Sequence, residues 1–479
     1  MVNTIVEQID SLFHPKTIAA FGVSSKGGKL GNLLLQSFID IGFEGTLVPV
    51  HPEAKEIMGL KSYPNLKSYG PIDLAIIALH PAKVFDAVKD CVENGKAKGI
   101  IIFSSGFSER GNEGKRLQED IVNYAKSHGT RIIGPNCMGI YAPSSKLSIF
   151  PGLPREPGVV SFLSQSGSLA VQIIAAAFIN GIKFSKAISF GNSADLDLSD
   201  FLDYSGWDQE TKVIACYVEG IKDGNRFIKK AKEVSKKKPI IIWKVGETPG
   251  GRRAAHSHTG SISGSVNLWD QVLDQVGILR ISNVRELLGH LGAFINPYFP
   301  KGNHIAIISG PGGPAVSSAD ACEKSGLQLA SLGSETQNAL AQILPEFGTS
   351  VQNPVDLSLA IAFDPELNYK AAAIVGKDPN VDILLIYVSV LQKTVVKGMV
   401  EIQKQIKKPI ALVATFDPTS AMPGGDRIKN LFQPINPKQA PQLLEMLYQN
   451  GISFHLTETD AAKALAALWK YSNYIQNSK

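Results

Sequence analysis

The feature that most constrains this chain is a repeated alternation of short, wholly apolar runs with longer amphipathic stretches. From Lys16 onward, Thr17–Gly22, Thr46–Val50, Leu74–Leu79, Gly99–Phe103 and Thr130–Ile133 read as strands. Between them, Leu30–Ile41, Ala82–Asn94 and Glu113–Ser127 carry helical periodicity. A strand with no polar face has to be buried on both sides. Parallel strands need a crossover segment, so helices between such strands imply a parallel sheet covered on both faces. The pattern therefore predicts a doubly wound α/β domain ending near Tyr141.

The pattern then restarts twice. A connector bearing Pro143, Pro151, Pro154 and Pro157 suits an extended linker. Beyond it, Val159–Leu163, Lys186–Phe190, Val213–Val218 and Pro239–Val245 read as strands, and Val284–Phe294 as a closing helix. A second break, Asn296–Gly302, precedes His304–Ser309, Leu327–Ala330, Ile383–Val388, Pro409–Val413 and Gly451–Ser453. Thr459–Tyr474 reads as an amphipathic cap. At 479 residues the chain is too long for one ordinary domain. The expected domains are 1–145, 155–295 and 302–479, each a doubly wound parallel sheet.

Composition narrows the function classes. A net charge of +5 with scattered lysines argues against a nucleic-acid surface, and Lys236–Lys238 reads as a solvated helix end. Cys91, Cys137, Cys216 and Cys322 lie far apart without CxxC spacing, which disfavours both a disulfide framework and a zinc site. No signal sequence and no apolar run of membrane-spanning length is present, so a cytoplasmic location is expected.

The polar chemistry concentrates at strand ends. The first turn, Gly22–Gly31, is glycine-rich and precedes a helix, which suits a phosphate-bearing ligand. The second strand runs into His51 and Pro52 rather than an acid, so a nicotinamide cofactor is disfavoured. Coenzyme A, with its extra phosphate, fits better beside Lys26 and Lys29. Ser104–Phe107 and Gly134–Cys137 end later strands of the same domain. Two further turns echo one another: Ser164–Ser168 and Ser309–Pro314 each join a strand to a helix, and both offer backbone N–H groups to an anion.

The densest cluster is Gly250–Ser261, which holds Arg252, Arg253, His256 and His258 among hydroxyls and glycines. Imidazole can take a phosphoryl group near neutral pH, and guanidinium and hydroxyl donors suit its surroundings. Glu219 ends an apolar strand, where a carboxylate can fix an imidazole tautomer. Asp195 and Asp197 read as caps of the next helix. His14, His51, His80, His128, His290, His304 and His455 read as structural, while His258 competes with His256. No third ligand is spaced for a metal site.

Taken together, Gly134–Cys137, Ser164–Ser168, Tyr217–Gly220, Arg253–Gly260 and Asn353–Leu357 resemble the α subunit of the NDP-forming acyl-CoA synthetases, typified by ADP-forming acetyl-CoA synthetase and related to succinyl-CoA synthetase. The resemblance covers essentially the whole chain. It implies an N-terminal Rossmann-like CoA-binding domain followed by two flavodoxin-like ligase domains. It implies His256 as a transient phosphohistidine supported by Glu219. Ser164, Gln165, Ser166 and Gly167 would hold phosphate from one side, and Gly310, Gly312 and Gly313 from the other. Gly22, Ser24, Ser25, Lys29, Pro49, Val50, Ser105, Gly106 and Asn136 fall where the family binds CoA.

The implied reaction is acyl-CoA + ADP + phosphate ⇌ acid + ATP + CoA, with a small monocarboxylate such as acetate preferred. No ATP-grasp segment is recognisable before Lys479, so ADP/ATP and Mg²⁺ are expected on a separate β subunit in a heterotetramer. The alternatives are a non-catalytic CoA-binding or regulatory module related to protein acetyltransferases, and a nicotinamide-dependent oxidoreductase. The intact histidine loop speaks against the first. The missing ribose acid speaks against the second.

Overall fold

The computed structural model describes residues 4–148, 150–253, 266–295, 298–310, 312–362, 364, 366–388, 391, 393–414 and 440–478. The first sheet contains β1 (Thr17–Phe21) and β2 (Thr46–Val50). A separate hairpin of β3 (Glu56–Ile57) and β4 (Leu60–Lys61) follows. The sheet is completed by β5 (Leu74–Ile77), β6 (Gly99–Ile102) and β7 (Arg131–Ile133). Its order is β2-β1-β5-β6-β7, and every pairing is parallel. All residues of β5 and β6 are buried, as two-sided helix cover requires.

The second sheet begins with β8 (Gly139–Tyr141), then β9 (Val160–Ser164), β10 (Phe184–Ser189) and β11 (Val213–Val218). It ends with β12 (Ile240–Lys244) and β13 (Leu279–Ile281). The order is β13-β12-β11-β9-β10-β8, parallel except for β8, which runs antiparallel to β10 at the edge. The third sheet has the order β15-β14-β17-β18-β19. Its strands are β14 (His304–Ser309), β15 (Gln328–Leu329), β17 (Ile383–Tyr387), β18 (Ile410–Val413) and β19 (Ile452–His455), and β16 (Val355–Asp356) pairs with the end of β14.

Counted by their own parallel strands, all three sheets follow the order 2-1-3-4-5. This is a doubly wound topology whose order reverses beside the first strand, opening a crevice at the strand carboxyl ends. The expected fold class is therefore observed. The chain forms two compact units, one of residues 1–176 and 183–282 and the other of residues 177–182 and 283–479. In the second unit, the helix Val284–Phe294 packs on β19 and on the helix Glu458–Asn477.

Within the first unit, the two sheets are joined by buried polar contacts. Arg131, at the start of β7, makes a two-pronged pair with Asp195, Nε to Oδ2 at 2.9 Å and Nη2 to Oδ1 at 2.7 Å. The Ile132 N–H donates to the same carboxylate. Asp195 is thus an ion-pair partner and not a helix cap, because its side chain turns back to the first sheet. Asp197 does cap the helix Leu198–Trp207, in a reciprocal box with Asp200. Where the proline-bearing connector suggests an extended linker, the Tyr141 hydroxyl donates to the Pro154 carbonyl at 2.8 Å and ties it to the sheet edge.

Two predictions follow from these buried groups. Asp195→Asn leaves the Arg131 guanidinium without its counter-charge at a site where the Asp195 side chain is 1% exposed. It should cost about 3–5 kcal/mol in urea unfolding of the full chain. His455 is buried at the end of β19, with Nε2 on Ser453 Oγ at 2.9 Å. Burial, and after it the neighbouring His290 and Arg285, push its imidazole down to about 3. The unfolded chain then binds the extra proton, so stability present above pH 6.5 is lost as pH falls toward 3. His455→Gln should flatten that acid limb, by an amount on the order of a few kcal/mol, in unfolding measured from pH 7 to 4.

Candidate functional site

The first crevice lies at the carboxyl ends of β1 and β5. Gly22 has φ +88°, and a Cβ there would sit 2.1 Å from the Ala78 carbonyl oxygen. A Cβ on Gly31 would sit 2.4 Å from the Gly22 carbonyl oxygen. Glycine is required at both because strand end, turn and helix start pass in backbone contact. The Asn32 side chain fastens the turn by accepting from Ser24 N–H at 3.0 Å and donating to Ser24 C=O at 2.8 Å. Lys29 opens the helix Leu30–Ile41 with no side-chain cap, so the first N–H groups of that helix have no side-chain acceptor from this position. Ser25, Lys26 and Lys29 are exposed beside it. This donor set suits a phosphate-bearing ligand.

The other candidate CoA positions sit on the same edge. Pro49 and Val50 end β2, Ser105 and Gly106 follow β6, and Asn136 follows β7 with φ +56°. The turn at Gly106 is organised by Glu109, a residue that sequence reasoning missed. Glu109 Oε1 accepts from the N–H groups of Gly106 and Phe107, and Oε2 accepts from Asn192 Nδ2 at 2.7 Å. Burial alone would raise this carboxyl; the donors from Gly106, Asn192 and Phe107 outweigh it and hold it below the usual range. Asn192 follows β10 of the second sheet, so its contact with Glu109, 83 residues away, is invisible to local pattern.

The second crevice lies between β9 and β11, the switch point of the second sheet. Ser164 Oγ donates to Ser166 C=O at 2.7 Å and accepts from Ser166 N–H at 3.1 Å, closing the turn tightly. Gln165 is buried and points across to β11. Its Oε1 accepts from the N–H groups of Glu219 and Gly220, and its Nε2 donates to Gly220 C=O at 3.0 Å. The side chain thereby fixes where Glu219, itself 5% exposed, is held. Gly167 opens the next helix, and a Cβ there would sit 2.2 Å from Met138 Cγ. Met138, two residues beyond Asn136 of the first crevice, therefore packs against the turn of the second.

The turn after β14 belongs to the other unit. A Cβ on Gly310 would sit 2.2 Å from Ile361 Cδ1, whereas Gly313 faces open space. Asn353, before a cis peptide to Pro354, fills a gap in that sheet. Its side chain accepts from Ile307 N–H and donates to Ile305 and Ala330 carbonyls, each at 2.9 Å, bridging β14 and β15. The segment leaving β12 reaches a helical stretch at 249–253, capped by Thr248 through Gly251 N–H at 3.0 Å. His256 and His258 lie outside the described residues.

Comparison with known proteins agrees with this geometry. Residues 16–143 match a CoA binding domain, 157–294 a succinyl-CoA ligase like flavodoxin domain, and 305–411 a ligase-CoA domain. The α subunit of ADP-forming acetate–CoA ligase II from Pyrococcus furiosus is 42% identical over 79% of this chain and 81% of its own length. The α subunit of isozyme I from that organism is 34% identical over 98% of this chain and 99% of its own. The chain belongs to the ADP-forming acyl-CoA synthetase family. A solved relative, the Ca. Korarchaeum cryptofilum dinucleotide forming acetyl-coenzyme A synthetase 1 in complex with phosphate and ADP, superposes with a TM-score of 0.84 at 31% identity, covering 98% of both chains.

In this synthetase chain six of the other seven histidines have a partner within four residues, while His304 meets Asp382. His51 and His80 accept from nearby N–H groups, and His128 and His290 meet carbonyls one turn away. Among the described residues no group of His, Cys, Asp or Glu is arranged to hold a metal, and no helix is long and apolar enough to cross a membrane. Gln165→Leu would strand two buried N–H groups at Glu219 and Gly220. It should cost about 2–6 kcal/mol in denaturant unfolding, at roughly 1–3 kcal/mol per orphaned donor.

Proposed function

We propose that this chain acts as the α subunit of an ADP-forming acyl-CoA synthetase that handles a small monocarboxylate such as acetate. The observation that carries the reading is the packing of Met138, two residues beyond Asn136, against the turn whose Gln165 holds Glu219. It brings one end of the crevice proposed for CoA beside the turn proposed for phosphate. The relatives named as α subunits of acetate–CoA ligases support the same reading.

In the proposed sequence, residues 1–145 bind CoA through Gly22, Ser24, Ser25, Lys29, Pro49, Val50, Ser105, Gly106 and Asn136. Phosphate is held at the Ser164–Gly167 turn by the start of the helix that Gly167 opens. A phosphate oxygen attacks the thioester carbonyl, the C–O bond forms, the C–S bond breaks, and CoA leaves as thiolate. His256, within domain 155–295, then attacks the phosphorus of the acyl phosphate, and the P–O bond to the acyl group breaks to release the carboxylate. Glu219 stabilises the charged ring. Domain 302–479 offers the second phosphate turn at Gly310, Gly312 and Gly313. A β subunit with an ATP-grasp fold would supply ADP and Mg²⁺, accept the phosphoryl group as ATP and complete a heterotetramer in the cytoplasm.

The full chain incubated with acetyl-CoA and labelled phosphate should acquire one acid-labile, base-stable label, the signature of a P–N bond. His256→Asn should abolish it. Label that survives in His256→Asn and disappears in His258→Asn would move the nucleophile to His258. No label with any acyl-CoA would refute the proposed reaction.

A further inference from the structure

We propose that Lys244 is a positioning residue for phosphoryl transfer, its ammonium group locking the strand end that bears Glu219 to the root of the segment leading to His256. The inference rests on the function proposed above. Lys244 ends β12, where it breaks the apolar run Ile240–Trp243, and it is 3% exposed. In register it lies beside Val218, the residue before Glu219. Its Nζ donates to the Glu219 carbonyl at 2.8 Å and to the Val245 carbonyl, and it lies 5.4 Å from the centroid of the Trp269 ring.

A buried ammonium held by carbonyls and an indole face is an expensive way to end a strand. An isoleucine, as at Ile240, Ile241 and Ile242 of the same strand, would serve the sheet alone. The two carbonyls it joins belong to the Glu219 strand end and to the first residue of the loop segment. Losing the ammonium would free both carbonyls, one at the strand end that carries Glu219 and one where the chain sets out toward His256.

Charged groups around Lys244 agree with a poised cation. Burial pushes its ammonium down to about 8; Glu247 and Glu219 oppose that, and Arg280 adds to it. Arg280, on β13, is itself occupied by Glu247 at 2.6 Å and by Asp270. Loss of the proton above that range should therefore weaken phosphoryl transfer.

The test measures labelling of the full chain by acetyl-CoA and inorganic phosphate. Lys244→Met should lower the maximal labelling rate about 100-fold, as a misplacement of roughly an ångström does, with KM for acetyl-CoA within about twofold. A rate within about threefold of the unchanged protein, or a rise in KM alone, overturns the proposal. Independently of whether Lys244→Met folds, the maximal rate of the unchanged protein should decline above about pH 8. In Lys244→Arg, whose guanidinium keeps its proton, that decline should vanish or move upward; identical profiles overturn the proposal. Absence of label in the unchanged protein would instead refute the reaction itself, and the positioning role with it.

Discussion

A parallel strand must return to its starting edge before the next can begin, and its crossover is right-handed. That single requirement brings the carboxyl ends of every strand in a sheet to one side. Where winding reverses, neighbouring turns diverge and leave room for a ligand. The Gly22–Gly31 turn, the Ser164–Gly167 turn and the chain at Gly310 each follow the first parallel strand of their sheet, so each sits at such a reversal. The chemistry is placed by winding before any side chain is chosen.

Side chains then refine what winding provides. Gln165 uses its amide on the backbone of Glu219 and Gly220, and so converts a flexible strand end into a fixed one. Asn353 does similar work in the third sheet, its amide tying β14 to Ala330 just beyond β15. In both cases a neutral amide is suited because it donates and accepts in one plane and carries no charge to desolvate. Glu109 plays the charged counterpart at Gly106, and its cost is met by converging donors.

The long strands were legible because they are apolar throughout: Thr46–Val50, Val213–Val218 and His304–Ser309 have the bounds read from sequence. The helices Leu30–Ile41 and Val284–Phe294 were equally legible from their periodicity. Gly139–Tyr141, Leu279–Ile281 and Val355–Asp356 were not, since two or three residues cannot display a repeat of any period. Of the site, the glycines and Glu219 stood out because residue type and strand end coincide. Asp195, Asn192 and Lys244 did not. Their roles depend on partners about 20 to 80 residues away in sequence, which only the folded chain brings near.

The antiparallel strand β8 has a mechanical corollary. The chain leaves β7 through Gly134–Met138 and immediately becomes the rim of the neighbouring sheet, pinned to β10 at Ser189, Ile188 and Ala187. Gly191 abuts the Asn136 carbonyl so closely that a Cβ there would lie 2.1 Å away. The link is a rivet and not a hinge. The first sheet cannot swing away from the Ser164–Gly167 turn without unzipping that rim, so the two crevices of this unit keep a fixed spacing.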